Sequence, residues 1–344
     1  MSVLQEKKTS WVAGLDSIRF VLAFIVLLSH LHDPFVAVLK AHHSGFTYFA
    51  GILLNHMFCG AAAVSAFFVI SGFVIHYPNR HKTKLDVAPF LLRRWIRIGI
   101  PMLVVCIVAA RFHLMGSLPL WSLYCELIYY TIYPILFRLR INWELILRLS
   151  FAVSVIFILL FIADAHHMLV HRGIFFKGAR WYVAMAIINY PSWILGVLLA
   201  IRIDGFSGSV SALQLWTYRL LVFVLSMVFL ALKMHLHINY SYTLVFYSLI
   251  LYKWLAQEIP YYRVHHPSPG TEYLGKFSYS LYLCHNLCFA LIGYFFADTV
   301  YTFFAYILLS IILSYIVYLL VEYPSHRAAQ KVSYRIAAVN KDDR

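Results

Sequence analysis

Long apolar runs alternate with short polar segments along almost the whole chain. A helix needs ~20 consecutive apolar residues to cross the hydrocarbon core of a bilayer. Ten runs come close to this length, at 12–32, 56–77, 89–110, 118–137, 145–163, 181–201, 214–232, 239–257, 273–296 and 300–321. The pattern predicts an all-α polytopic membrane helical bundle, because the spanning helix satisfies its own backbone hydrogen bonds in lipid.

The composition agrees with this pattern. Of the 344 residues, 62% are hydrophobic and 12% are charged, whereas globular domains average about 45–50% and about 25%. These values exclude a water-soluble enzyme and a disordered chain. The five cysteines lie in apolar stretches without metal-binding or redox spacing, which excludes a disulfide scaffold.

The basic residues are distributed unevenly between the two sides of the predicted bundle. If the N-terminus is cytoplasmic, 21 Lys and Arg residues lie in or beside inside segments, 6 lie outside, and Arg19 lies within a span. Inside loops of membrane proteins are enriched in Lys and Arg. The bias predicts that both termini are cytoplasmic, and it explains most of the net charge of +14 without a nucleic-acid partner.

The chain reads as one integral membrane unit. It contains no internal repeat, Pro-rich linker or low-complexity tract. No small-residue cleavage site follows the first apolar run, so we expect a retained span rather than a signal peptide. The predicted organisation is a cytoplasmic N-terminal segment at 1–11, a transmembrane domain at 12–325 and a basic cytoplasmic tail at 326–344.

Ionisable residues in the first apolar run are candidates for a functional site, because a charge inside a membrane usually faces a cavity or a partner. Asp16 and Arg19 are three residues apart and can pair on a helix. His30 follows Arg19 by 11 residues, so it projects from nearly the same helix face, about 16 Å further along the axis. The alternatives are a snorkelling Arg19 and a His30 with only a structural hydrogen bond.

A cluster of three arginines opens the third run at its inner end: Arg93, Arg94 and Arg97. Arg94 and Arg97 are one helical turn apart, a spacing suited to gripping phosphate groups. The alternative is the ordinary anchoring of a span by cations on the inner side.

Two further ionisable residues lie in the middle of predicted spans. Glu126 has no cation nearby in sequence, so it must be protonated or find a partner on another helix. His285 is either a site residue or a packing histidine bonded to a neighbouring helix. Glu322, at the inner end of the last run, is expected to pair with an arginine.

Six segments follow one another in the order and spacing of the acyltransferase-3 family: LDSIRFVLAFIVLLSH, FFVISGFVI, RRWIRIGIP, WSLYCELIYYTIYP, LGKFSYSLYLCHN and VEYPSHR. The chain resembles this family of integral-membrane O-acyltransferases from about residue 12 to 330. We expect no hydrolase-like domain of the kind that some members append.

The resemblance assigns the family's motifs to particular residues. The Arg-x10-His signature falls on Arg19 and His30, and the Arg-x-x-Arg element on Arg94 and Arg97. The Trp-Ser/Thr-Leu-x-x-Glu element falls on Trp121, Ser122, Leu123 and Glu126, and the SYSLY-x-x-H element ends at His285.

The chain departs from the family's pattern at two positions. Leu127 stands where many members have a second acidic residue, and Cys284 stands where a Trp is frequent. The first departure makes the chain look more like the branch that modifies exopolysaccharides than like the O-antigen enzymes.

The resemblance implies transfer of an acyl group, usually acetyl, from cytoplasmic acyl-CoA to a hydroxyl of an extracytoplasmic or lipid-linked glycan. His30 would be the general base or would accept the acyl group, Glu126 would orient His30, and Arg19 would stabilise negative charge. The arginine cluster at 93–97 would bind the donor phosphates. The remaining site candidates are Asp16, Trp121, Ser122 and His285.

Acyl-CoA is expected as a co-substrate, with no permanently bound cofactor. His167 and His171 have i,i+4 spacing, but only Asp164 is a nearby carboxylate in sequence, so we predict no metal site. The expected partners are the lipid bilayer, the glycan acceptor and acyl-CoA, and the expected location is the bacterial inner (plasma) membrane.

The main alternative is a transporter or flippase for a polysaccharide precursor or small metabolite. Intramembrane Arg, His and Glu would then form a proton or substrate path. The sequence shows no inverted repeat and no pair of broken spans that would favour it. An inert membrane scaffold is a third possibility. The identity of the acceptor and the choice between acetyl and succinyl stay open.

Overall fold

The computed structural model describes residues 12–31, 34–41, 44–171, 179–206, 210–296 and 299–342. Most of these residues are helical and none of them forms a strand, which confirms the expected all-α class. The helices are α1 Leu15–Ser29, α2 Pro34–Ala41, α3 Gly45–Asn55, α4 Gly60–His76, α5 Val87–Arg111, α6 Trp121–Leu139, α7 Trp143–His171, α8 Ala179–Arg202, α9 Ala212–Leu236, α10 Tyr240–Val264, α11 Pro269–Gly275, α12 Ser278–Phe295, α13 Val300–Val317 and α14 Tyr323–Asp342.

One helix lies in each of the ten predicted spans. Within the described residues, five helical stretches are long and apolar enough to cross a membrane, and the bent pair of α1 and α2 adds a sixth. The five are Gly45–Asn79, Trp143–Leu160, Arg180–Gly205, Ala212–Leu236 and Val300–Ile336. The chain is a multi-pass membrane protein, while the number of spans and the cytoplasmic position of the termini stay predictions.

Residues 326–342 of the expected basic tail are helical and pack on the bundle, while the cytoplasmic position of the tail stays a prediction. A π-helical turn, Tyr318–Glu322, joins α13 to α14, so the helix continues through the expected boundary at residue 325. Helix α14 packs along α5, and the Ser333 hydroxyl donates a 3.2 Å hydrogen bond to the carbonyl oxygen of Pro89. Residues of the expected tail therefore pack against the helix that carries the arginine cluster.

Helix α4 lies at the centre of the bundle, where it packs against α1, α6, α8 and α10. Its contact with α8 is close enough to require glycine. A Cβ atom at Gly72 would collide with the carbonyl oxygen of Trp193, and one at Gly196 would collide with that of Val69. Small residues let membrane helices approach closely, since lipid provides no hydrophobic force to press them together.

This packing predicts that Gly72→Ala destabilises the protein. A methyl group forced into a packed interface costs about 1–3 kcal/mol, so the midpoint of thermal unfolding in detergent should fall. Gly293→Ala on α12 is the matched control, because a Cβ atom there meets open space. An equal fall in both variants would contradict the assignment of Gly72 to a close helix contact.

The start of α1 is fixed by α11. One oxygen of Glu272 accepts a 3.0 Å hydrogen bond from the backbone N–H of Ser17 and a 2.7 Å bond from its hydroxyl. Gly275 lies against the backbone of Asp16, where a Cβ atom would collide. Gly14 precedes the helix with φ of 85°, a conformation that favours glycine. These contacts hold the first turn of α1, and with it Asp16 and Arg19, in a defined position.

Candidate active site

Two of the cavities along α1 are lined by predicted site residues, one beside its first turns and one at its C-terminal end. The first, which we call the arginine cavity, has a volume of about 350 Å³. Its polar and charged lining residues are Asp16, Arg19, Ser71, Arg94, Arg97, Ser122, Glu126, Tyr130, Lys276, Ser278, Tyr279, Tyr282, Tyr318, Glu322, Tyr323 and His326. The second, the histidine cavity, has a volume of about 890 Å³ and contains His30, Lys233 and Tyr306 in its lining.

Arg19 lines the arginine cavity together with Asp16. The guanidinium of Arg19 lies 3.5 Å from a carboxylate oxygen of Asp16, so the predicted i,i+3 pair is present. Both side chains remain partly accessible, at 22% and 25%. Because this single contact is long and the Arg19 side chain is partly exposed, the guanidinium keeps further N–H donors available to a ligand in the cavity.

Helix α5 brings two of its three clustered arginines to the arginine cavity. Arg97 lines it, and Arg94 lies with its guanidinium 5.9 Å from the ring centres of both Phe90 and Tyr130. Arg93 points elsewhere: its side chain is exposed and does not line the cavity. Of the three arginines expected to bind one ligand, the structure therefore brings Arg94 and Arg97 to one cavity and leaves Arg93 on another face of the helix; that they bind a ligand stays a prediction.

Glu126 finds its partners on α4 and on its own helix. One carboxylate oxygen accepts a 2.6 Å hydrogen bond from the Ser71 hydroxyl and a second bond from the Tyr130 hydroxyl. The indole N–H of Trp193 donates a 3.2 Å bond to Ser71 and extends this network into α8. Among the hydrogen bonds of the described residues none joins Glu126 to His30. The expected orienting contact is corrected, because these two residues line different cavities.

The two polar candidates at the start of α6 differ in their surroundings. The Ser122 hydroxyl lies 2.6 Å from the Tyr282 hydroxyl, and both residues line the arginine cavity. Trp121 packs edge-on against Phe68 and Trp181, with ring centres about 6 Å apart, and does not line that cavity. Trp121 therefore supports the position of α6, while Ser122 is part of the cavity wall.

His30 ends α1 and faces the histidine cavity. Its Nδ1 lies 2.8 Å from the carbonyl oxygen of Val26 and 3.3 Å from the Ser29 hydroxyl. A carbonyl oxygen only accepts hydrogen bonds, so in the neutral imidazole the proton is on Nδ1 and the lone pair on Nε2. A histidine in this tautomer has an available base or nucleophile at Nε2.

His285 on α12 lies beside His30, with ring centres 4.9 Å apart. It is fully buried, and its Nδ1 donates a 2.7 Å hydrogen bond to the carbonyl oxygen of Tyr282. Its Nε2 has no hydrogen-bond partner among the described residues. The two histidines therefore form a pair in which each Nδ1 is held by a backbone carbonyl and each Nε2 keeps a lone pair.

Tyr282 lies between the arginine cavity and the histidine pair. Its side chain lines the arginine cavity, while its carbonyl oxygen holds His285 beside the histidine cavity. The ring of Phe67, another residue of the arginine cavity, lies 6.1 Å from the Tyr282 ring. The cation-lined cavity thus ends about one helical turn of α12 from the histidine pair.

A comparison with protein families identifies the family to which this chain belongs. The model of the acyltransferase-3 family, described as an acyltransferase domain, matches residues 12–319. The chain belongs to the acyltransferase-3 family. Searches of curated proteins and of solved structures give no match.

Membership of the acyltransferase-3 family makes the chain a membrane acyltransferase. Within the described residues, no group of three or more His, Cys, Asp or Glu side chains is placed to hold a metal ion. The side chains of His167 and His171 lie outside the described part of the chain. The chemistry available in the two cavities is that of cations, carboxylates, hydroxyls and imidazoles.

Several residues of this acyltransferase-3 site were not singled out from the sequence. Ser71 and Tyr130 hold Glu126, and Tyr282 links the wall of the arginine cavity to His285. Ser71 carries a usable signal, because it is a polar residue within the apolar segment FFVISGFVI. Tyr130 and Tyr282 carry none, since tyrosine is common throughout this chain, with 25 positions.

Proposed function

We propose that this acyltransferase transfers an acetyl group from cytoplasmic acyl-CoA to a hydroxyl of an extracytoplasmic or lipid-linked glycan. The observation that carries the proposal is that Tyr282, in the wall of the arginine cavity, holds His285, whose ring lies 4.9 Å from that of His30 in the histidine cavity. One cavity is lined by arginines, the other by an imidazole with an available Nε2. The proposed location is the inner (plasma) membrane of a bacterium.

The arginine cavity suits the donor. Acyl-CoA carries several phosphate groups, and arginine binds phosphate oxygens with paired, charge-assisted hydrogen bonds. Arg94 and Arg97 would hold these phosphates, with Lys276 as a further cation of the lining. Glu126 would support this binding indirectly, because it holds Tyr130, on whose ring Arg94 lies.

Arg19 would act on the donor rather than beside His30. The two residues are separated by 11 positions on one helix, or about 16 Å along its axis. Arg19 therefore faces the donor in the arginine cavity, where it would neutralise phosphate or thioester charge.

The histidine cavity suits the acceptor. It is larger than the arginine cavity and offers polar groups from Lys233 and Tyr240 beside the aromatic rings of Phe58 and Phe303. Sugars are bound by such a combination of hydrogen bonds and ring faces. His30 Nε2 would take the proton of the acceptor hydroxyl as general base while the hydroxyl oxygen attacks the thioester carbonyl. Phe67 and Tyr282 would move aside for this transfer.

The test is acyl transfer by membranes that contain the wild-type protein. They are given acetyl-CoA labelled in the acetyl group, together with glycan from the expression host, and label in alkali-labile product is measured. We expect the label to appear with an intact or a collapsed ion gradient. Transfer that requires the gradient would favour the transporter alternative, and transfer of succinyl but not acetyl would correct the acyl group.

A further inference from the structure

A third cavity, which we call the side groove, also lies along α1. It has a volume of about 500 Å³, and its walls come mainly from α1, α4, α9 and α10. Ser17, Val21 and Ile25 line it on α1. They lie on nearly the opposite face of that helix from Asp16 and Arg19, because successive residues are about 100° apart. The side groove is therefore separate from the arginine cavity.

The side groove opens between α1 and α9. Three small residues of α4 form its floor: Ala62, Ala63 and Ala66. Among the described residues, α9 packs closely on α10 but not on α1, so a gap remains between α1 and α9. Val21 and Leu220 line the groove at this gap, and each is more than half exposed. Exposed apolar side chains of a spanning helix face lipid, so a lipid chain can enter the groove from the bilayer.

The length of the side groove matches one leaflet of a bilayer. On α9 its lining extends from Trp216 to Ser226, or about 15 Å along the helix axis. The hydrocarbon core of a bilayer is about 30 Å thick, so one leaflet contributes about 15 Å. A single acyl chain of a lipid therefore has the length that the groove accommodates.

The polar groups of the side groove are concentrated at one end, where α1 and α9 begin and α10 ends. The side chains at this end are Ser17, Arg219, Glu258, Tyr262 and Thr271. Trp216 also lies there, largely exposed, as is typical of tryptophan at the level of lipid headgroups. Further along, the hydroxyls of Ser226 and Tyr247 donate to backbone carbonyls of α9 and are satisfied. The groove thus has a polar head and an apolar tail, as a lipid has.

The polar end presents a cation to a ligand. Both oxygens of Glu258 accept hydrogen bonds from the Arg219 guanidinium, and one of them also accepts a 2.8 Å bond from the indole N–H of Trp254. The Glu258 side chain is 2% exposed, whereas that of Arg219 is 25% exposed. Among the described residues, Nη1 of Arg219 makes no hydrogen bond. The accessible charge is therefore positive, and arginine is well suited to bind phosphate oxygens.

The sequence predicts a carboxylate–arginine pair at Glu322, and the structure places one at Glu258 instead. Glu322 is also buried, but it accepts a 2.5 Å hydrogen bond from the Ser280 hydroxyl. Within the described part of the chain it forms no ion pair within 4.0 Å, so the expected pairing of Glu322 is corrected.

We propose that the side groove binds one phospholipid of the bilayer, with an acyl chain in its apolar part and the phosphate group at Arg219. The lipid belongs to the leaflet on the side where α9 begins, which is the predicted cytoplasmic side. None of the residues predicted for acyl transfer lines the groove. The lipid site is therefore independent of the proposed function.

The test uses the full-length protein in detergent and phosphatidylglycerol with a photoreactive diazirine at the end of one acyl chain. We expect crosslinks near Ile25 and Ala62, in the apolar part of the groove, and their loss when unlabelled phosphatidylglycerol is in excess. Val21→Trp places a large ring at the opening, so labelling at these positions should fall about tenfold or more. The matched control is Leu308→Trp, because Leu308 is exposed on α13 and lines none of the three cavities.

The phosphate contact is tested by competition. In the wild type, phosphatidylglycerol should compete with the probe at concentrations about 10- to 100-fold lower than diacylglycerol with the same chains, the effect of a charge-assisted hydrogen bond. Inorganic phosphate should not compete. The double variant Arg219→Met and Glu258→Gln removes the ion pair without leaving an unpaired buried charge. In this variant the two lipids should compete equally.

Three results would overturn the proposal. Labelling that is spread evenly over the lipid-facing helices and is unchanged in Val21→Trp would show only the general lipid shell of the protein. Equal competition by diacylglycerol and phosphatidylglycerol in the wild type would remove the phosphate contact at Arg219. Competition by inorganic phosphate would indicate a site for a free anion. All three would leave the proposed acyl transfer standing, because the readout is lipid binding.

Discussion

Replacement of His30 by alanine is expected to reduce acyl transfer by at least ~100-fold, the lower range for loss of a general base. The variant removes the Nε2 lone pair that faces the histidine cavity. His30 lies at the end of α1 and is exposed to this cavity, so its removal should leave the packing of the bundle intact. The measurement is the transfer of labelled acetyl to glycan by membranes with equal amounts of inserted protein.

The control for this variant is His265→Ala. His265 is also exposed, and its ring stacks on Tyr261, outside both cavities. We expect wild-type transfer in the control. Near-normal activity in His30→Ala would remove His30 from the mechanism. Label that stays on the wild-type protein when the acceptor is withheld, but not on the variant, would show that His30 accepts the acyl group instead of acting as a base.

The helices of this fold were predictable because apolar runs of membrane length have few alternatives in lipid. Each predicted span coincides with a helix. The helices that the runs did not predict are α2, α3, α11 and α14. These segments are shorter or, in α14, amphipathic and rich in charge, so none of them is by itself an apolar run of membrane length. Their helicity depends on contacts with the bundle, such as that of α14 with α5.

The features of the candidate site that lie on a single helix were predictable from the sequence. The spacing of Asp16 and Arg19 predicted their pairing, and that pair is present on α1. The spacing of Arg19 and His30 placed both on one face, but it contained no information about the helices opposite each of them. Those helices place Arg19 and His30 in different cavities.

The partners of Glu126 show the same limit. The sequence predicted that this isolated carboxylate is either protonated or has a partner on another helix, and it has such a partner. The partner is the hydroxyl of Ser71 on α4 rather than a cation or His30. The close contact of α4 with α8 at Gly72 fixes the orientation of α4, and with it the residue of α4 that faces α6. This outcome depends on three helices together and is not contained in the sequence of any one of them.

Arg97→Ala is expected to raise the KM for acetyl-CoA about 10- to 100-fold, the equivalent of ~1.5–3 kcal/mol for a lost charge-assisted hydrogen bond. Arg97 lines the arginine cavity, so its loss should weaken donor binding more than it lowers kcat. Arg94→Ala should act in the same direction, with an additional effect through Tyr130, on whose ring Arg94 lies.

The matched control is Arg93→Ala, which removes the same charge from the same helix outside the cavity. An equal rise in KM for Arg93→Ala and Arg97→Ala would show a general effect of positive charge at this face instead of a phosphate contact. A donor without phosphate groups, acetyl-pantetheine, sharpens the comparison. The wild type should prefer acetyl-CoA strongly over it, and Arg97→Ala should lose most of that preference, because the preference depends on the phosphates that Arg97 binds.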